Sequence, residues 1–477
     1  MSSPSHLTAL LQIISDGVNS IEADCNSRNL QYPTLEDPLT PDSIALQEGY
    51  AQDALPVIAA AYQLMATLMS PHSFYHKMIF AADQTIALGV AEAGHVAEIL
   101  REGGPEGVHV SDITAKNKME PKRLAHCLRF LSSLHIFKEV SPDCFTNNRV
   151  SATLDTGKPV SEILLDPEAK YDNAPGFAAL TGSLADEALK AGSYVVDALT
   201  DPKTSHSQEP RDGAHQRAFG VDLDLFSWYE MPENAFRLRR FGNAMRSMQW
   251  SAPVTGGFDW AGLKEGSVVV DIGGGFGGLD VDLAKTFKHL KFVVQDRPQV
   301  AEEATKACTL YAPFSPMWRA QGNQDVLDGR VTFQGHDFFT PQPSSATPPS
   351  VFFLRYVLHN WNDTHSIRIL KHLRAAASPH TQLLIIGALI AYNCPSEGKW
   401  KDVPGGEVVL APEPLLPNFG IACSDASFMD ILLIHATNTH ERTLDELVAV
   451  FDASGWKLKC VHRFPPPAIP QIVAVPA

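Results

Sequence analysis

An apolar run that enters a glycine-rich turn constrains the fold of this 477-residue chain more than any other feature. Residues 268–272 read Val-Val-Val-Asp-Ile, and residues 273–278 read Gly-Gly-Gly-Phe-Gly-Gly before a helical pattern begins. Glycine is needed where a backbone turns tightly and comes close to a ligand. The glycines at 273, 275 and 278 match the Gly-x-Gly-x-x-Gly pattern of dinucleotide-binding sites. Asp296 ends the next apolar run, which is where such sites place an acceptor for the ribose hydroxyls. This motif alone does not separate NAD from S-adenosylmethionine.

Apolar, β-rich runs alternate with helical stretches from residue 267 onward. The runs lie at residues 268–272, 291–296, 330–338, 350–358 and 382–390. Buried parallel strands are continuously apolar, and alternation of strand and helix over about 200 residues predicts a doubly wound α/β sheet. We therefore expect a Rossmann-like cofactor domain within residues 166–477, which includes linker helices at 175–250.

The N-terminal part of the chain follows a helical pattern instead. Apolar residues recur at helical spacing over residues 54–100. Residues 110–134 then read as two short helices, and residues 136–148 as two short strands joined by a turn. Helix, helix and β-wing is the order of a winged helix, so we expect residues 1–165 to form a helical extension and a winged-helix domain.

The charge balance argues against a nucleic-acid partner. The chain has 38 Lys and Arg against 54 Asp and Glu, a formal net charge of −16. Neutralising phosphates requires clustered basic residues, but the second predicted helix of the winged-helix segment offers only Lys122, Arg123 and Arg129. A dimerisation or substrate-lid role is therefore favoured over DNA contact.

Cysteine usage and hydropathy favour a cytoplasmic protein with no membrane partner. The seven cysteines are scattered and include no Cys-x-x-Cys pair, which favours reduced thiols over a disulfide framework or a zinc site. No stretch approaches the ~18 apolar residues of a membrane span. The first 20 residues have helical spacing and no basic segment of the kind that begins a signal peptide.

An acidic residue and four further segments narrow the identity of the ligand. Asp271 stands two residues before Gly273, where a dinucleotide site usually has an apolar residue, and a carboxylate there suits a cationic ligand. With these segments the chain resembles the plant- and fungal-type small-molecule O-methyltransferases (caffeate O-methyltransferase-like, class I) over roughly residues 75–470. The segments similar to that family's motifs are Val270–Gly275, Asp296, Gly335–Phe339 (its "GDxF" segment), Leu354–Asp363 (its catalytic-histidine stretch) and Asn438–Thr443 (its "ERT" segment).

The resemblance implies an S-adenosylmethionine-dependent O-methyltransferase of secondary metabolism that acts on a small hydroxylated, preferably phenolic, molecule. It implies His359 as the general base with Glu441 to orient it, and direct displacement with no metal ion. It also implies a homodimer formed through the N-terminal helices. The cofactor-binding residues that it implies are Gly273, Gly274, Asp296, Asp337, Phe338 and Arg355.

Acid–base chemistry supports the role of His359. A phenol has a pKa of about 10 and imidazole one of about 6.5, so a positioned histidine can take the proton as the methyl group transfers. The alternative is a histidine that satisfies a hydrogen bond at a strand end. Arg355 is open to a similar alternative, as half of a structural ion pair. Trp361 fits either an aromatic wall beside the adenine or core packing. Met245 and Met248 resemble the methionines that line the family's acceptor pocket, and core packing is the alternative for them as well.

Three departures from the family pattern keep other functions open. Relatives usually place Glu or Asp where this chain has Gly387, and Asn360 replaces the Asp that commonly follows the histidine. Residues 393–420 form a Pro-rich insertion, which we expect to be a surface lid or dimer-contact loop because its prolines cannot occupy a central strand. A same-fold pericyclase that retains bound S-adenosylmethionine is therefore the main alternative, ahead of a catalytically silent binding protein.

Overall fold

The computed structural model describes residues 5–245, 247, 254–309, 328–345, 347–395, 398–465 and 468–477. They form two compact units. The first lies within residues 1–200, 214–249 and 411–423, and the second within 201–213, 250–410 and 424–477. The predicted boundary after residue 165 differs from this grouping, because most of residues 166–249 belong to the first unit.

The first unit is mainly helical. Its helices are α1 (His6–Ser27), α2 (Pro41–Gly49), α3 (Ala51–Leu68), α4 (Pro71–Ile79), α5 (Ala81–Ala93), α6 (Val96–Gly103), α7 (Val110–Asn117), α8 (Pro121–Ser133), α9 (Val160–Leu165), α10 (Phe177–Ser183), α11 (Leu189–Gly192), α12 (Val195–Thr200), α13 (Ala214–Phe219), α14 (Leu225–Tyr229) and α15 (Ala235–Ala244). The Ser5 side chain caps α1 by accepting from the Thr8 N–H. A Cβ on Gly17 would lie 2.3 Å from Val57 Cγ2, so glycine allows α1 and α3 to approach closely.

A small sheet completes the winged-helix module. Its strands are β1 (Val108–His109), β2 (Lys138–Ser141) and β3 (Cys144–Thr146), in the order β1-β3-β2. Helices α7 and α8 lie between β1 and β2 in the chain, and Pro121 opens α8 with Glu120 as its cap. The predicted order of two helices and a β-wing is therefore found at residues 108–146.

The second unit is built on a seven-stranded sheet. Its strands are β4 (Val268–Ile272), β5 (Lys291–Asp296), β6 (Val331–Gly335), β7 (Val351–Arg355), β8 (Gln382–Ile386), β9 (Trp456–His462) and β10 (Gln471–Pro476). The order is β6-β5-β4-β7-β8-β10-β9; the first five strands pair in parallel, and β10 is antiparallel to both β8 and β9.

Both faces of this sheet are buried, which confirms the predicted doubly wound α/β fold. Val270 and Ile272 point into one apolar cluster, whereas Val269 belongs to another, as alternation along a strand requires. The helices of the unit are α16 (Gly278–Thr286), α17 (Pro298–Thr309), α18 (Asp363–Ala376), α19 (Asp425–Ala436) and α20 (Leu444–Ser454).

The Pro-rich insertion at 393–420 does not behave as one surface loop. Trp400 and Val403 pack against the apolar core of the second unit. Leu415 is buried in a cluster of the first unit with Leu10 and Ala60. The expectation of a lid or contact loop is wrong for these parts, because apolar side chains between the prolines are packed into two cores.

Among the described residues, no single helix is long and apolar enough to cross a bilayer. The consecutive segments Ala51–Leu68 and Pro71–Ala93 reach the necessary length and apolar content only when they are taken together, and the chain bends by 118° between them.

Candidate active site

The predicted site residues of the second unit converge on the carboxyl ends of adjacent parallel strands. Gly273 follows β4, Asp296 ends β5, Arg355 ends β7 and Gly387 follows β8. In a doubly wound sheet ligands bind outside these ends, at the point where the strand order reverses. Here that point lies between β4 and β7.

The turn after β4 requires glycine for two physical reasons. Gly273 has φ +73°, a left-handed conformation that L side chains rarely adopt. A Cβ on Gly274 would lie 2.4 Å from Asp271 Oδ2 and 2.7 Å from Val294 Cγ1. The Gly273 N–H donates to the Gln295 carbonyl at 2.7 Å, which ties the turn to β5.

Asp296 fixes the same turn from the end of β5. Its Oδ2 accepts from the Gly275 N–H at 2.9 Å, and its Oδ1 from the Arg297 N–H at 2.7 Å. The carboxylate is thereby oriented at the mouth of the glycine turn, since both oxygens are held by backbone donors.

Two carboxyl groups, Asp271 and Asp280, lie buried beneath this turn. Burial raises the pKa of Asp280 to about 6. Burial and the nearby Asp280 carboxyl together raise the pKa of Asp271 well above its usual range. The Asp271 carboxyl acts to lower the pKa of Asp280, but burial has the larger effect. The sequence analysis did not identify Asp280. The available signal was its position between two apolar residues at the start of α16, which indicates a buried acid.

Asp337 and Phe338 follow β6 and differ in exposure. Asp337 is exposed, and its Oδ1 accepts from the Phe339 N–H at 2.9 Å. Phe338 is half-buried and meets Trp361 edge-on, with ring centres 5.8 Å apart. The two aromatic rings provide the apolar surface that a flat purine would need.

Arg355 lies largely buried at the end of β7. Its guanidinium carbon is 5.2 Å from the centre of the Tyr356 ring. Burial lowers the pKa of Arg355, while the charges of Tyr356 and Asp271 act in the opposite direction. The structure thus places this cation near the carboxylate of the β4 motif.

His359 and Glu441 form a direct pair although 82 positions separate them. His359 Nδ1 lies 2.7 Å from Glu441 Oε1, and the side chains are 13% and 2% exposed. A carboxylate accepts, so Nδ1 carries the proton and Nε2 the lone pair. The Tyr356 ring stacks against the imidazole, with centres 5.4 Å apart and an interplanar angle of 29°.

A cleft lies beside this pair, next to Gly387, the position at which the chain lacks the family's usual Glu or Asp. Gly387, His359 and Glu441 line it together with residues 385–389. A Cβ on Gly387 would meet nothing within 4 Å. The other substituted position, Asn360, donates its side-chain N–H to the Tyr356 carbonyl at 3.0 Å.

The structure describes one of the two methionines that were predicted to line the acceptor pocket. Met245 follows α15 in the first unit and is 38% exposed. Met248 lies outside the described residues.

The residues around the glycine turn fit S-adenosylmethionine. The turn is open at Gly275, where a Cβ would meet nothing within 4 Å, and the buried carboxyls beneath the turn suit a ligand that carries a sulfonium and an ammonium group. Oriented oxygens on Asp296 suit a pair of ribose hydroxyls.

Sequence comparison identifies the same class of protein. A family model described as an O-methyltransferase domain matches residues 198–403. An O-methyltransferase of Armillaria gallica is 39% identical over 482 residues, which span 99% of this chain and 100% of the relative. A 4-O-methyltransferase of Phanerochaete chrysosporium is 37% identical over 466 residues, which span 96% of each chain.

Solved structures share the fold at lower identity. The mitomycin 7-O-methyltransferase MmcR has a TM-score of 0.62 and 22% identity, over 85% of this chain and 98% of its own. A protein described as a pericyclic reaction enzyme has a TM-score of 0.65 and 17% identity, over 92% of this chain and 100% of its own. Since the fold is common to both chemistries, the family assignment depends on the close sequence relatives. The chain belongs to the family of O-methyltransferases.

Proposed function

We propose that this O-methyltransferase methylates a phenolic hydroxyl of a small secondary metabolite, with His359 as the general base and Glu441 as the residue that orients it. The observation that carries the proposal is the buried 2.7 Å contact between His359 Nδ1 and Glu441 Oε1. A bonded Nδ1–H leaves Nε2 as the basic nitrogen, which is the arrangement that proton abstraction requires.

When bound, S-adenosylmethionine supplies an electrophilic methyl group on a positively charged sulfur. His359 Nε2 would take the phenolic proton as the hydroxyl oxygen accepts that methyl group. Glu441 stabilises the imidazolium that results, and its burial keeps this charge pair out of water. We assign cofactor binding to Gly273, Gly274, Asp296, Asp337, Phe338 and Arg355.

Replacement of the base tests this proposal. His359→Ala should leave cofactor affinity unchanged by calorimetry, because the residues assigned to that site are intact. Turnover of a phenol should fall by about 10²–10⁴-fold, the usual contribution of a positioned base. The loss should shrink as the assay pH approaches the phenol pKa of about 10, because solution then supplies the phenolate. Glu441→Gln should give a smaller loss in the same direction. A His359→Ala enzyme that works at the wild-type rate near pH 7 would refute the assignment.

A non-methylating use of the bound cofactor is the second candidate. The observation that favours it is the open position at Gly387, where relatives usually have a second carboxylate. Among the described residues, Glu441 is the carboxylate that contacts His359. The intact pair with Glu441 favours methylation. Incubation of the wild-type enzyme with labelled cofactor and a panel of phenols distinguishes the two, because a pericyclase transfers no label.

We also propose a cytoplasmic homodimer. Helices α3 to α5 expose large apolar side chains, and the described cysteines are free thiols. The exposed set includes Ile58, Leu68, Tyr75, Ile79 and Ile86. Apolar patches of this kind mark protein interfaces, and the mass of the purified protein by light scattering tests the assembly.

A further inference from the structure

The turn that carries His359 depends on donors from another part of the chain. His359 lies in a short 3₁₀ turn, Leu358–Asn360, just after β7. Tyr356, the second residue before this turn, has φ +55°. The Leu358 carbonyl of this turn accepts one backbone N–H, that of Trp361, at 3.1 Å. Side chains can supply further donors to carbonyl groups that lie outside the strand ladder.

Arg442 supplies two of these donors. Its Nη1 donates to the Leu358 carbonyl at 2.9 Å, and its Nη2 to the Trp361 carbonyl at 2.7 Å. Its Nε donates to Asp363 Oδ1 at 2.9 Å. The guanidinium is buried and therefore holds the backbone on both sides of His359 with charge-assisted bonds, which are the stronger class.

Thr439 supplies the donor for His359 itself. Its hydroxyl donates to the His359 carbonyl at 2.6 Å, and the residue is buried. Glu441 lies between Thr439 and Arg442 in sequence and contacts the same histidine through its side chain. Three residues of one short segment thus fix the carbonyl, the ring and the flanking backbone of one histidine.

We propose that Arg442 and Thr439 are positioning residues for His359. The inference rests on the proposed function, because it assumes that His359 is the base. A general base must lie within hydrogen-bond reach of its proton, and a displacement of about 1 Å can cost about 10²-fold in rate. Because Gly387 has no side chain to contact the imidazole, the bonds from this segment and the stacked Tyr356 ring hold its position.

Two variants and two comparison variants test the proposal. Arg442→Lys keeps the charge but cannot span two carbonyls, and Thr439→Val removes the hydroxyl while keeping the shape. Thr439→Ser restores the hydroxyl. Arg374→Lys is the control, because Arg374 donates to a different backbone carbonyl of the same unit, that of Gly455, at 2.9 Å.

The decisive readout is turnover with phenols of different acidity. Arg442→Lys and Thr439→Val should lower kcat at least about tenfold for a phenol of pKa about 10, and less than about threefold for a phenol already ionised at the assay pH. Thr439→Ser should retain more of the rate than Thr439→Val. Cofactor affinity by calorimetry should not change in any of them.

An equal loss with both phenols, or a loss that follows the melting temperature as in Arg374→Lys, would show a purely structural role and overturn the proposal. If Arg442→Lys does not fold, the result for Thr439→Val decides alone.

The His359→Ala variant distinguishes a failure of the proposed function from a failure of this inference alone. If the loss in His359→Ala is no larger for a weakly acidic phenol than for an ionised one, the proposed function fails and this inference with it. If His359→Ala shows that larger loss and the Arg442 and Thr439 variants do not, only this inference fails.

Discussion

At the scale of single residues, the least expected feature is the pair of buried carboxyls Asp271 and Asp280. Burial removes both groups from water and raises both pKa values, and the Asp280 carboxyl makes ionisation of Asp271 still more costly. The folded protein therefore holds a proton on this pair at a pH at which the unfolded chain has lost it. Such a pair is tolerable in a site built for a cationic ligand, because the ligand supplies the missing positive charge.

This pair makes stability depend on pH in a direction that can be measured. The pKa of Asp280 is about 6 in the folded protein against an ordinary value of 3.8. The folded state thus binds more protons between these values, and the free energy of unfolding falls as the pH rises through them. Asp280→Asn should be more stable than wild type at pH 7–8, by on the order of 1–3 kcal/mol. The difference should shrink towards pH 4.

Urea unfolding of the cofactor-free protein from pH 4 to 8 measures this effect. The matched control is Asp282→Asn, two residues along the same helix, where the side chain is 52% exposed and pairs with Lys285. A stability difference for Asp280→Asn that does not change with pH would show that ionisation is not its cause.

The sequence located individual site residues unevenly. His359, Glu441 and Asp296 were predicted because motif resemblance marks them, and the structure brings His359 and Glu441 into contact. Asp280 and the bonds of Arg442 were not predicted, because they join segments distant in the chain or depend on burial. Gly387 was recognised as a departure, but only the structure shows that a side chain there would meet open space.

At the scale of elements, local pattern was a good guide. Continuous apolar runs identified β4, β7 and β8 because strands covered on both faces need apolar residues on both. Helix and wing order identified the module at 108–146. The grouping of α10 to α15 with the first unit was not predicted, because tertiary contacts decide it and periodicity reports only that a helix forms.

The turn between β4 and α16 allows a matched test of why the motif contains several glycines. Gly274→Ala should lower the free energy of unfolding by about 1–3 kcal/mol, because its Cβ would overlap Asp271 and Val294. Gly278→Ala places its Cβ where nothing lies within 4 Å, at the first residue of α16. It should be neutral or stabilising by up to about 1 kcal/mol.

Urea unfolding of both variants measures the contrast, and calorimetry should show weaker cofactor binding for Gly274→Ala. Equal destabilisation by the two alanines would mean that the turn tolerates a side chain at 274. The close contact with Asp271 would then not explain the glycine.

At the scale of the whole molecule, the segment 393–420 was the feature least accessible to sequence reasoning. Its prolines correctly excluded a central strand, but proline content carries no information about which apolar residues between them are buried. Trp400 lies against the core of the second unit and donates its indole N–H to Asp445 at 2.9 Å. Gln63 donates to the Pro414 carbonyl at 2.8 Å within the first unit. The segment is therefore part of the packing of both units.

Two adjacent leucines test this conclusion within the first unit. Leu415 is 6% exposed and packs with Leu10, Ala59 and Ala60, whereas Leu416 is 49% exposed. Leu415→Ala should lower the free energy of unfolding by about 2–3 kcal/mol, since it leaves a cavity that its small neighbours cannot fill. Leu416→Ala should change it by no more than about 0.5 kcal/mol. Both values come from urea unfolding of the full chain. If the two substitutions have the same small effect, the segment contributes nothing to the first core, and the original expectation of a surface loop is correct for residues 411–420.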